Sequence, residues 1–278
     1  MKFIAISLVG LLCACSPRSE TIIIKGSDTE VNLAVALAEQ FHTVNSGVLV
    51  SVSGGGSGLG IASLLNGNAT IANSSRSIKS TELELFKNKN IELDSFVFAQ
   101  DALAFVVSDK ISIDSIHVHE IAKILSGEYA NWSALKQTDK PITIYGRQSN
   151  SGTHDYVAGI LDIHFSPYAK QMNGNAQIIE AIKADNSGIG YVSAGYVMKS
   201  GNTGLKVLSV YTDQSHAASP LDAKVIASGK YYFQRPLIQY FRKADAMKIK
   251  PFLDFEKSAA GAKIIQESGY YPIIQKPQ

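Results

Sequence analysis

Hydrophobic and polar residues alternate along the chain in short blocks of two periods. Thr21-Ile22-Ile23-Ile24-Lys25 is an apolar, β-branched run that reads as a buried strand. Val31, Val35 and Ala38, with Leu33, Leu37 and Phe41, then recur at helical spacing. Val48 to Val52 predicts a second strand and Ile61 to Leu65 a helix after it. Thr70-Ile71-Ala72 is a short strand, and Ser80-Thr81-Glu82 opens a helix with a capping pattern. Two apolar strand runs, Ser95 to Gln100 and Ala102 to Val107, are interrupted by Asp101. Asp114 to Ser126 reads as a helix, Ile142 to Tyr145 as a strand and His154 to Leu161 as a helix. Gln177 to Ala184 continues as helix, Gly188 to Val192, Lys206 to Val210 and Lys230 to Phe241 as strands, and Phe252 to Ser268 as a last helix. Strand and helix alternate with no repeat or low-complexity linker, which argues for an α/β fold. A length of 278 residues accommodates two lobes of ~100–130 residues each.

The junctions between these blocks carry the chemistry. Arg147-Gln148-Ser149-Asn150-Ser151-Gly152-Thr153 joins a strand to a helix. A helix start leaves backbone N–H groups without partners and presents the positive end of the helix dipole. Two hydroxyls and the planar fork of Arg147 add donors to the same place, an arrangement suited to a small oxyanion. A capped helix beside a surface-paired arginine has the same sequence pattern, so this stretch alone does not decide. Gly26-Ser27-Asp28-Thr29 repeats the strand–polar turn–helix logic. Ser53-Gly54-Gly55-Gly56-Ser57-Gly58-Leu59-Gly60 does so with glycines that let backbone donors approach a ligand. This loop lacks the Lys-Ser/Thr of nucleotide-triphosphate loops and the acidic partner of the dinucleotide fingerprint. Asn73-Ser74-Ser75-Arg76 closes a further strand with hydroxyls and a guanidinium. In open α/β sheets ligands sit at the carboxyl ends of the strands, and here the polar ends recur.

Composition narrows the class. Hydrophobic residues make up 45% and charged residues 18%, enough apolar material for one or two cores. A net charge of +2 without basic runs gives no footprint for nucleic acid. Met1-Lys2 followed by apolar Phe3 to Leu12 is a targeting segment too short to span a bilayer. It ends in Leu12-Cys13-Ala14-Cys15, which resembles a bacterial lipoprotein signal with Cys15 as the lipid acceptor. The chain thus divides into a signal and lipobox (1–15), a polar tether (16–20), lobe one (21–106 and 231–278) and lobe two (107–230). Both cysteines lie in the signal, so disulfides play no part in the folded domain. The expected location is extracytoplasmic, in the periplasm or at the cell surface, with membrane attachment through the lipid alone.

These elements also resemble a known family. Gly26-Ser27-Asp28-Thr29, the glycine loop, Ser74-Ser75-Arg76, Gln100-Asp101-Ala102, Gly127-Glu128-Tyr129-Ala130-Asn131-Trp132, Arg147 with Ser151-Gly152-Thr153, and Ile189-Gly190-Tyr191-Val192 follow in the order and spacing of the phosphate-binding protein of the high-affinity phosphate ABC transporter. That resemblance runs from about Thr21 to Pro272. It implies a type 2 periplasmic-binding-protein fold, with two lobes closing on one inorganic phosphate without a cofactor or metal. It implies delivery to a membrane permease, by a protein expected to be a monomer. The family's ligand contacts fall on Ser27, Thr29, Ser57, Arg147, Ser151, Gly152 and Thr153. Many relatives follow Ser with Asp where this chain has Ser75-Arg76, and that Asp accepts the phosphate proton. Asp28 and Asp101 are the substitutes the sequence offers, and Ser75 and Arg76 join the candidate ligands.

Two other readings compete. Sulfate, molybdate or tungstate could occupy the same hydroxyl and arginine cradle. A phosphatase would need an activated nucleophile or a metal cluster. His154 beside Thr153 is the candidate base, and His117 and His119 with Glu120 the candidate metal ligands. No HExxH or paired-carboxylate pattern supports either.

Overall fold

A single long strand, Leu93–Ser108, is shared by the two halves of the molecule. The computed structural model describes residues 20–201 and 203–273, so the signal segment with Cys15 lies outside the described residues. Leu93 to Ala102 pair antiparallel with Gln234–Arg242. From Leu103 to Val107 the same strand pairs instead with Gly188–Ser193, and Phe105 to Ser108 pair on their other side with Leu205–Thr212. The Leu103 N–H donates to the Phe233 carbonyl at 3.0 Å, so the second crossing of the chain passes at the same level.

Lobe one is built on the parallel strands Val48–Ser53, Glu20–Gly26 and Ile71–Ser74, followed by the antiparallel Gln234–Arg242. Its largest core joins Ile22, Ile24, Leu33, Phe41 and Phe252, with the helix Val31–Val44 laid on the sheet. Lobe two orders Gly188–Ser193, Thr143–Arg147 and Lys170–Met172 as parallel neighbours. Phe105, Trp132, Ile178 and Ile189 are among the fully buried side chains of its separate core. Trp132 is an anchor, its indole N–H donating to the Ser187 carbonyl at 3.0 Å. Among the described residues no helix is long and apolar enough to cross a membrane.

Three element readings change. The two runs flanking Asp101 form one continuous strand, because Arg235 lies opposite Asp101 in the ladder and pairs with it. The expected helix from Asp114 begins only at Val118. Ser115–His117 is a strand paired with Leu205–Thr212, and His117 caps the helix Val118–Ser126. The last helix is two, Ala246–Lys257 and Ala259–Glu267, separated at Ser258, whose side chain accepts from the Gly261 N–H.

Lobe one also buries acids. Gln239 Nε2 donates to Glu256 Oε1 at 2.9 Å, while Glu256 Oε2, Gln239 Oε1 and both Glu30 oxygens have no hydrogen-bond partner. These unmatched atoms are all acceptors, so what they lack is a proton. Burial pushes the Glu256 carboxyl up to about 8 and the Glu30 carboxyl well above its ordinary value. Between the unfolded value near 4.5 and about 8, folded protein holds a proton that the unfolded chain has released. For Glu256, stability therefore falls as pH rises through that window, by up to about 1.4 kcal/mol per pH unit. Denaturant midpoints measured between pH ~5 and ~8 should decline in the wild type and decline less in Glu256→Gln; identical slopes would contradict a protonated Glu256.

Candidate oxyanion-binding site

The polar junctions of both lobes meet in one cleft. After Glu20–Gly26 the chain turns through Ser27 into a short 3₁₀ turn, Asp28–Glu30, that buries Thr29. The helix Ser57–Leu65 begins directly from the glycine loop, with Gly56 before it at φ +104°. A Cβ on Gly56 would stand 2.8 Å from the Asn150 carbonyl, so glycine is required there. Ser57 Oγ, wholly buried, accepts the Ser75 N–H at 3.1 Å and ties the glycine loop to the end of Ile71–Ser74.

Lobe two supplies the facing wall. Thr143–Arg147 runs into a turn, and Ser151 caps the helix Gly152–Leu161, its side chain accepting the Thr153 N–H at 3.2 Å. Gly152 packs against lobe one so closely that a Cβ would lie 2.2 Å from Ser57 Oγ and 2.7 Å from Ser75 Oγ. The hydroxyls of Thr29 and Thr153 meet at 3.1 Å. Asp28 reaches across as well: its Oδ2 accepts the Asn175 N–H and Nδ2 at 3.1 and 3.2 Å, and its carbonyl accepts the Tyr196 hydroxyl at 2.9 Å. The cleft is closed.

Two guanidinium groups stand in it, in different states. Arg147 is 2% exposed. Its backbone N–H donates to the Tyr191 hydroxyl and its Nη2 to the Asn173 carbonyl at 2.9 Å. Nε and Nη1 have no hydrogen-bond partner, and the nearest carboxylate oxygen, Asp28 Oδ2, is 3.6 Å from Nη1. Burial pulls the Arg147 guanidinium below its ordinary value, against the charge of Asp28. Arg235, 1% exposed, donates through Nε and Nη2 to Asp101 Oδ2 at 3.0 and 2.8 Å. Its Nη2 also reaches Thr153 Oγ1 at 3.0 Å and Thr29 Oγ1 at 3.3 Å. Asp101 Oδ1 accepts the Ser193 hydroxyl at 2.6 Å. Burial pushes the Asp101 carboxyl up while Arg235 and Ser193 pull it back.

The structure thus brings together Ser27, Asp28, Thr29, Ser57, Ser75, Arg147, Ser151, Gly152 and Thr153, with Asp101 one step behind through Arg235. Arg76 does not join them. Its Nη1 and Nη2 bind both Glu82 oxygens at 2.8 and 2.7 Å, and its Nε stands 2.9 Å from Asp155 Oδ2. Arg235 and Asn175 were not among the residues expected. Arg235 left a trace: it interrupts an apolar strand as Asp101 does, with the opposite sign.

The other chemistries find structural roles. His154 packs against Phe165 in a tilted arrangement with centroids 4.5 Å apart, and its Nδ1 is 3.7 Å from Asp155. His117, His119 and Asp213 present ligand atoms within 4.8 Å of one another. His117 Nδ1, however, accepts the His119 N–H at 3.1 Å, which leaves the ring proton on Nε2, 3.1 Å from Asp213. That ring is a helix cap.

The closeness of Gly152 gives a test. Gly152→Ala leaves each lobe intact but places a methyl between them. It is expected to weaken anion binding by at least about tenfold with an unchanged melting temperature of the ligand-free protein; affinity equal to wild type would contradict the packing.

Relatives carry the same architecture. The phosphate-binding protein PstS of Borreliella burgdorferi is 29% identical over 271 residues, covering 94% of this chain and 93% of that protein. Protein SphX of Synechococcus elongatus is 29% identical, covering 94% and 80%. A solved structure from Clostridium perfringens, described as a phosphate ABC transporter substrate-binding protein with bound phosphate, superposes with a TM-score of 0.81 at 23% identity, over 91% of this chain and all of that one. The structure of PstS from Borrelia burgdorferi superposes with a TM-score of 0.59 at 29% identity, over 92% of this chain and 100% of that one. The family model described as the PBP superfamily domain matches residues 14–259. With its two α/β lobes and crossing strands, the chain belongs to that family.

Proposed function

We propose that the cleft binds inorganic phosphate outside the cytoplasm and that the protein delivers it to the permease of an ABC transporter. One observation carries the reading: Arg147, buried at the end of a strand, keeps two donors without partners beside a helix N-terminus. A buried guanidinium cannot shed its charge, and buried donors left without hydrogen-bond partners are costly even with a carboxylate 3.6 Å away. A tetrahedral anion would receive Nε and Nη1 together with the hydroxyls of Thr29, Ser57, Ser75 and Thr153. Relatives named as phosphate-binding proteins support the choice of anion. The targeting segment supports export, with Cys15 as the lipid attachment point and the protein acting as a monomer. Lobe one is assigned to 21–106 with 231–278 and lobe two to 107–230, the long strand passing between them.

Carboxylates beside the donors favour an anion that still carries a proton. Hydrogen phosphate donates that proton, whereas sulfate at neutral pH has none and leaves an acceptor facing an acceptor. Asp28 beside Arg147 and Asp101, one step behind through Arg235, are the two candidate acceptors. The bound anion undergoes no chemistry; it is held and released by closure and opening of the lobes.

Titration calorimetry of ligand-stripped protein should give one phosphate per chain, undisturbed by excess sulfate. Replacing by Asn the aspartate that accepts the proton should narrow the gap between phosphate and sulfate by at least about tenfold, while the other substitution weakens both anions alike. Preference for sulfate or molybdate in the wild type would keep the fold and overturn the ligand.

A further inference from the structure

Arg76 stands immediately after Ser75, and Asp155 two residues after Thr153, so each lies within two residues of a group that lines the cleft. The two side chains meet across the lobes: Arg76 Nε lies 2.9 Å from Asp155 Oδ2, and Lys79 Nζ 2.7 Å from the same oxygen. Arg76 is held from behind by Glu82, which takes both of its terminal nitrogens and also accepts the Lys79 N–H at 2.9 Å. The Arg76 Nη1 further donates to the Ser77 carbonyl at 2.9 Å. Side-chain exposure is 7% for Arg76 and 20% for Asp155 and Glu82, so the Arg76–Asp155 bridge is only partly screened by water, while Lys79, 48% exposed, is screened more. It borders a cavity of about 450 Å³ whose lining also includes Ser75, Tyr156 and Arg235.

We propose that Arg76, Lys79 and Asp155 form a latch across the flank of the cleft, one that sets how long a bound anion is held without touching it. The asymmetry of partners makes the latch reversible. On opening, Arg76 keeps Glu82 and is never left unpaired, while Asp155 passes into water at the first turn of its helix, where a carboxylate is favoured. The cost of opening is therefore confined to one bridge and its cationic neighbour. Because the latch ties the segment of Ser75 to the segment of Gly152 and Thr153, it fastens the two walls that must part for release. Asp155 is held below its ordinary carboxylate value: burial opposes this, and His154, Lys79 and Arg76 outweigh it. The bridge is thus fully charged at neutral pH.

The inference rests on the phosphate reading for its rate measurement, and on the geometry alone for its distance measurement. The test compares wild-type protein, Asp155→Asn and Lys79→Met. Release of radiolabelled phosphate is followed on chase with unlabelled phosphate, and the interlobe distance by a donor–acceptor dye pair, one dye on each lobe. Asp155→Asn is expected to release phosphate about tenfold faster with an association rate changed less than about twofold, and Lys79→Met to do so by a smaller factor. The ligand-free Asp155→Asn protein should populate longer interlobe distances, while its phosphate-bound form matches the wild type. Asp155→Glu should recover most of the wild-type release rate. Wild-type release and distances in Asp155→Asn would overturn the latch. If the wild-type protein takes up no phosphate, the ligand reading fails, and the interlobe distances still decide the latch.

Discussion

The charge of Arg147 is the constraint on which the cleft depends. Guanidinium keeps its proton in any protein environment, so closing the lobes over it creates a buried cation whose Nε and Nη1 are unmatched. Carboxylates usually solve this problem, but Asp28 stands off at 3.6 Å and gives its closer contacts to Asn175. Closure without an anion is therefore penalised, and closure around one is not. A ligand that removes a penalty belonging only to the closed form shifts the equilibrium toward that form. On the proposed reading, binding and closure become a single event through one side chain.

The second arginine solves its problem internally. Arg235 and Asp101 sit opposite each other on the two strands that cross between the lobes, and their ion pair is complete. A buried pair of this kind adds little net stability, since desolvation consumes most of the Coulomb gain, but losing one partner is costly. What it provides is placement: Nη2 of Arg235 is fixed between the Thr29 and Thr153 hydroxyls, one from each lobe. The crossing strands thus do more than join two domains. They carry a donor to the place where the hydroxyls of both domains meet.

Most of the cleft was legible because its signals are local. A strand that runs through Ser, Gly or Thr into a helix exposes backbone donors wherever it occurs, and Ser27, Ser57 and Ser151 all announce themselves this way. Arg235 was not legible for the converse reason: its partner is 134 positions away, and only antiparallel register brings them together. Two opposite charges, each breaking an apolar strand run, were the available clue. Arg76 also reads as an anion ligand in sequence, a guanidinium beside a serine-rich strand end, but in the structure it turns toward carboxylates. Its direction is settled by Glu82, six residues on, and by Asp155 from the other lobe. The continuous apolar spacing from Phe252 to Ser268 likewise concealed a break, because periodicity registers the buried face and not the cap at Ser258.

The central claim is that the unmatched donors of Arg147 are the seat of the anion. A crystal structure of the protein grown with phosphate tests it most directly. One phosphate is expected within hydrogen-bond distance of Arg147 Nε and Nη1 and of the Thr29, Ser57 and Thr153 hydroxyls, with Arg76 still on Glu82 and Asp155. A phosphate bound by Arg76, or a closed cleft in which Arg147 finds a protein carboxylate instead, would contradict it.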